Sequence, residues 1–89
     1  MIRADGGQDA VLLGAIHGFG MLYAGLGKLV EAEKMYQRAL EGYEKALGPE
    51  NAALYIPALN TIYNLGLLFS SQDDVDRARA MYSRALTGY

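Results

Sequence analysis

Met35-Tyr36-Gln37-Arg38-Ala39-Leu40 runs into Glu41-Gly42-Tyr43, and the phrase returns as Met81-Tyr82-Ser83-Arg84-Ala85-Leu86 followed by Thr87-Gly88-Tyr89. The offset is 46 residues (81 − 35). Self-similarity at a fixed period of this size marks a stacked-repeat architecture. The fold class follows from it: all-α, two antiparallel helical hairpins stacked as a short solenoid.

Working outward at the same offset, Leu13 pairs with Leu59, Ile16 with Ile62, Phe19 with Leu65, Gly20 with Gly66 and Tyr23 with Phe69. These positions step by three and four, which is one face of a helix. A second set pairs Leu29 with Val75, Ala32 with Ala78, Tyr36 with Tyr82 and Ala39 with Ala85. Between the sets stand Gly25-Leu26-Gly27-Lys28 in the first copy and Ser71-Gln72-Asp73-Asp74 in the second. Glycine and aspartate tolerate a left-handed turn residue, so each break reads as a tight turn between helices. Gly20 and Gly66 sit mid-helix, where glycine costs about 1 kcal/mol against alanine. A close helix crossing explains that cost, with Ala32 and Ala78 facing the glycines. Tyr36 and Tyr82 would fill the wider space one turn on, and Ala39 and Ala85 would meet the next repeat.

These residues carry a resemblance. Phe19-Gly20, Tyr23, Ala32, Tyr36 and Ala39, and again Leu65-Gly66, Phe69, Ala78, Tyr82 and Ala85, are similar to the tetratricopeptide repeat in identity and spacing. The stretch from Glu31 to Glu50, ending in Leu47-Gly48-Pro49-Glu50, resembles the kinesin-light-chain-type version. Arrays of that type occur in fungal receptors with nucleotide-binding cores (NB-ARC or NACHT). The resemblance covers Val11 to Tyr89. It implies a protein-interaction module, part of a longer array in a scaffold or sensor protein, that is cytoplasmic and not an enzyme. Three features depart from the pattern. The period is about four residues longer, the excess falling in Asn51–Ile56. Asp73 replaces a turn glycine, and the first helix lacks the Asn-Asn often found before Leu-Gly.

The resemblance also implies a peptide-binding groove lined by the first helix of each hairpin. Position by position, it falls on His17 and Met21, beside Gly14, Gly18 and Ala24, and on Asn60, Tyr63, Asn64, Leu67 and Ser70. Asn64 stands where the family carries its groove asparagine, and its amide both donates and accepts. Tyr63 offers an apolar body with a polar tip. The plainer alternative is that Asn64 bonds within the array and Tyr63 packs on a neighbouring repeat. No Lys or Arg occupies these positions, which argues against a carboxylate-clamping groove.

Composition narrows the field. Net charge is −2 with both signs interspersed, so there is no nucleic-acid footprint. There is no cysteine, hence no disulfide framework or thiolate metal site, which suits the cytosol. His17 is the only histidine, and no catalytic constellation, metal set or cofactor motif accompanies it. Residues Ala10–Gly27 include no formal charge. A membrane span needs about 20 apolar residues, but the equivalent second-copy stretch is far more polar, so a helix buried on two sides is expected and no membrane partner.

In order, residues 1–9 form a polar, flexible lead, with Asp9 available as a cap. Residues 10–50 form the first hairpin with its Gly-Pro linker, and residues 51–89 the second. Pro57 fits the first turn of the next helix, and the extra residues would add one turn before it, kinked at the proline. Asp73 or Asp74 would start the last helix, with Asp73 paired to Arg77. Arrays usually need about three units. With two, both ends would expose faces meant for neighbours, so self-association through them is expected. A self-assembling architectural repeat with no separate ligand is the alternative function.

Overall fold

The computed structural model describes residues 6–89. Their elements are helices: α1 (Gly6–Gly25), α2 (Leu29–Leu47), the single turn α3 (Pro49–Ala52), α4 (Ile56–Ser71) and α5 (Val75–Gly88). α1 packs along α2 and α4 along α5, and the hairpins meet chiefly where α4 lies on α2, with a lighter contact to α1. Residues 1–5 of the expected lead lie outside the described residues. α1 already begins at Gly6, so Asp9 falls inside its first turn and not ahead of it as a cap.

Both turns are built alike. Gly27 (φ 77°) and Asp73 (φ 59°), 46 residues apart, take the left-handed conformation. The Lys28 N–H donates to the Tyr23 carbonyl at 2.8 Å and the Asp74 N–H to that of Phe69 at 2.9 Å. Gly27 and Asp73 donate three residues back, to Ala24 and Ser70, both at 3.1 Å. This paired closure satisfies the last carbonyls of a helix. Aspartate can hold the left-handed position that glycine holds in the first copy. It then cannot cap the next helix. Asp74 does so, accepting the Arg77 N–H at 3.3 Å and pairing with its guanidinium at 3.6 Å. The expected Asp73–Arg77 pair is therefore an Asp74–Arg77 pair.

The linker also differs from expectation. Gly48 (φ 83°) ends α2, and the extra turn is α3, a separate unit started by Pro49. Helical structure is interrupted at residues 53–55, and Pro57 lies in the first turn of α4. A helix running unbroken through Pro57 would drive its ring into the carbonyl of Ala53. The proline therefore sits in the first turn of a helix, as expected, but the extra turn before it is separate and no kink joins the two.

The core shows what the two mid-helix glycines are for. A Cβ on Gly20 would lie 2.7 Å from the Tyr36 ring, and one on Gly66 equally 2.7 Å from the Tyr82 ring. The tyrosine rings thus occupy the space over the glycines, a role expected of Ala32 and Ala78. Gly42 is covered in the same way by Leu13, and Gly88 by Leu59. Ala85 is buried although no third repeat follows it among the described residues, so its neighbours lie within the two hairpins. Leu59, Ile62 and Leu65 form the centre of the core on α4.

α1 is not buried on two sides. Leu13, Ile16 and Gly20 face inward, while Leu12, Phe19, Met21 and Leu22 are exposed. Among the described residues no helix is long and apolar enough to cross a membrane.

Glycine-to-alanine substitutions should separate seat from surface. Gly20→Ala should destabilise by about 1–3 kcal/mol, because the buried Tyr36 ring cannot yield. Gly14→Ala, where a Cβ meets nothing within 4 Å, should stabilise by about 0.5–1 kcal/mol. Urea unfolding of each variant checks both signs; equal effects would contradict the seat.

Candidate functional site

The two first helices adjoin at His17. Thr61 is fully buried on α4, and its hydroxyl donates to the Pro57 carbonyl at 3.1 Å, four residues back. With its single proton so used, it can only accept from the His17 ring, whose Nδ1 lies 2.8 Å away. His17 Nε2 then carries a lone pair, and Asn64 Nδ2 donates to it at 3.1 Å. The geometry fixes a neutral imidazole with its proton on Nδ1. Burial disfavours the charged form and lowers the His17 pKa below its ordinary value of 6.5.

The ring of Tyr36 tilts against His17, centroids 5.4 Å apart at 52°. Forty-six residues on, Tyr63 and Tyr82 repeat the pair at 5.6 Å and 50°. His17 and Tyr63 are thus equivalent positions. One is covered by the following hairpin and the other is half-exposed.

The expected groove residues separate into groups. His17, Asn64 and Leu67 come together at the junction. Asn64 and Leu67 line a cleft of about 130 Å³ with Ala24, Leu29 and Tyr36. Met21 is exposed one turn beyond His17. Asn60 accepts a short hydrogen bond from the Tyr89 hydroxyl, which ties it to the end of α5. Ser70 opens onto a separate trough between α4 and α5. Gly14 and Gly18 present open surface, with nothing within 4 Å of a Cβ on either. Sequence reasoning missed Thr61 and Tyr89. The available signal for Thr61 was a hydroxyl four residues after Pro57 in an otherwise apolar stretch, a position from which it can bond back to the helix carbonyl.

Charged contacts between the hairpins lie away from this junction. Arg77 pairs with Glu33 at 3.8 Å and Arg84 with Glu44 at 3.5 Å, both between α2 and α5. They are partly exposed pairs and contribute little individually. Among the described residues no group of three or more His, Asp or Glu could hold a metal ion.

A family model described as tetratricopeptide repeat matches residues 11–89. No curated protein and no solved structure matches the chain.

The histidine gives a pH dependence with a definite sign. The unfolded chain takes up a proton near 6.5, while burial holds the folded-state pKa lower. Stability from neutral His17 is therefore complete above 6.5 and is lost as the pH falls toward the folded-state value. The urea midpoint should drop between about pH 7.5 and about pH 5.5, and His17→Gln should lose most of that drop. Identical drops in both chains would contradict the assignment.

Proposed function

The chain belongs to the tetratricopeptide repeat family, and on that premise we propose that it is a protein-interaction module whose α1–α4 face holds an uncharged peptide segment of another protein. The observation that carries this reading is a half-used amide beside exposed apolar side chains. Asn64 gives one N–H to His17, and its carbonyl oxygen accepts no bond among the described residues. An amide so placed can hold a peptide backbone without reading side chains. Leu67, Met21 and Tyr63 are exposed around it and offer apolar anchorage, the class of side chain that dominates small interfaces. With no Lys or Arg on this face, an acidic or C-terminal carboxylate anchor finds no counter-charge.

In this reading residues 10–50 and 51–89 are the two binding units, and their shared junction is the docking point. The narrower likeness to kinesin-light-chain-type repeats of fungal receptors, through Leu47-Gly48-Pro49-Glu50, supports a place in the sensing or scaffolding array of a cytoplasmic protein. The module contributes no catalysis and needs no cofactor or metal. It has neither the basic surface for nucleic acid nor a membrane partner.

Panning a phage-displayed library of random peptides on the purified chain tests this. Enriched peptides should carry apolar anchors with no requirement for Asp or Glu. Leu67→Asp should weaken a selected peptide at least tenfold, about 1.4 kcal/mol, with sedimentation mass unchanged. No enrichment, or equal binding to Leu67→Asp, would contradict the groove.

A further inference from the structure

We propose that the chain docks head to tail on a second copy of itself, with α1 of one copy filling the trough between α4 and α5 of the next. The molecule contains the template for this contact. Inside the chain, α4 lies in the trough between α1 and α2, where Ala24, Leu29 and Tyr36 meet Asn64, Leu67 and Leu68. Forty-six residues on from the first three stand Ser70, Val75 and Tyr82. With Ala78 and Leu86 they line an open trough of about 370 Å³.

Burial follows the same logic on both faces. Leu40 is 5% exposed under α4, whereas its equivalent Leu86 is 81% exposed. On the opposite face, Leu65 is fully buried at the junction, while its equivalent Phe19 on α1 is 54% exposed. Ala58 and Leu68 are likewise buried where Leu12 and Leu22 are exposed. Every exposed member of these pairs is apolar, so both faces keep the apolar part of the interface without its partner, though not its His17–Thr61–Asn64 tie. Isolated apolar residues on a surface mean little, but contiguous ones mark an interface.

Charge points to a second copy as the occupant. In side-chain size α1 differs from α4 in both directions: Phe19 stands for Leu65 and Leu12 for Ala58, but Ala15 for Thr61 and Gly18 for Asn64. The internal Glu33–Arg77 pair corresponds, 46 residues along on one side and back on the other, to Arg79 and Glu31. The signs are exchanged and the attraction is kept. A like-charge pair there would have opposed the docking. Such an interface is heterologous: it uses two different patches and can extend beyond a dimer. It leaves Leu67 clear but covers Tyr63, the equivalent of His17, so the groove is read by Leu67→Asp in peptide binding and the docking by mass, and the two can fail separately.

Sedimentation equilibrium of the wild-type chain and two variants tests this. The wild-type mass should rise with concentration beyond 9.7 kDa. Leu86→Asp blocks the trough and Phe19→Asp blocks the α1 face. Both residues are exposed, so each variant should keep its helical circular dichroism, and each alone should remain monomeric. Mixed in equal amounts they should form a dimer and nothing larger, because one retains the head and the other the tail. A wild-type chain that stays monomeric at every concentration would overturn the proposal and indicate that another chain or a neighbouring repeat covers these faces. Either variant pairing with itself, or no dimer in the mixture, would also overturn it.

Discussion

Each hairpin depends on a steric fit between a tyrosine ring and a glycine. The ring of Tyr36 lies where a side chain on Gly20 would be, and Tyr82 does the same over Gly66. A glycine inside a helix gives up about 1 kcal/mol, and here the close packing of an aromatic ring offsets it. A second seat, Leu13 on Gly42 and Leu59 on Gly88, lies nearer the open end of each hairpin. Two such seats along one helix pair fix both spacing and axial register. The left-handed residues at Gly27 and Asp73 need only reverse the chain.

From that register the rest of the molecule follows. Tyr36, seated on Gly20, forms part of the floor on which α4 rests, and α4 in turn buries it. Placing α4 there brings Thr61 and Asn64 to the two nitrogens of His17. This is a polar tie in a largely apolar junction. Its buried atoms all have partners, and such a tie favours one arrangement over its near alternatives, because a shifted helix would leave Thr61 and the His17 ring without them. His17 therefore works as a connector between repeats. Its neutral tautomer donates to Thr61 and accepts from Asn64, leaving part of the asparagine amide available on the surface.

Much of this was legible in the sequence. The 46-residue echo established two hairpins, and the paired glycines announced a close approach within each. The turn residues Gly27 and Asp73 were readable because few residues tolerate a left-handed backbone. Other features were hidden for physical reasons. Periodicity assigns a residue to a face but does not say what lies opposite, so the pattern offers alanine as the partner of Gly20 where the structure has the Tyr36 ring. The His17–Thr61 bond spans 44 residues, and no local pattern reports it. Residues 10–27 read as a helix buried on two sides because apolar composition counts side chains but not neighbours. α1 has only one covering face among the described residues. The turn at α3 depended on whether it would join α4 through a kink at Pro57 or stand apart from it, and the clash with the carbonyl four residues back decided it.

The ring-on-glycine seat can be observed directly by nuclear magnetic resonance in solution. The account predicts cross-relaxation between the α-protons of Gly20 and the Tyr36 ring protons, and between those of Gly66 and the Tyr82 ring protons. Both glycine signals should be displaced from ordinary helical values by the aromatic ring current. Glycine α-protons at unperturbed shifts, with no contact to either tyrosine, would contradict the packing from which both hairpins and their junction are derived.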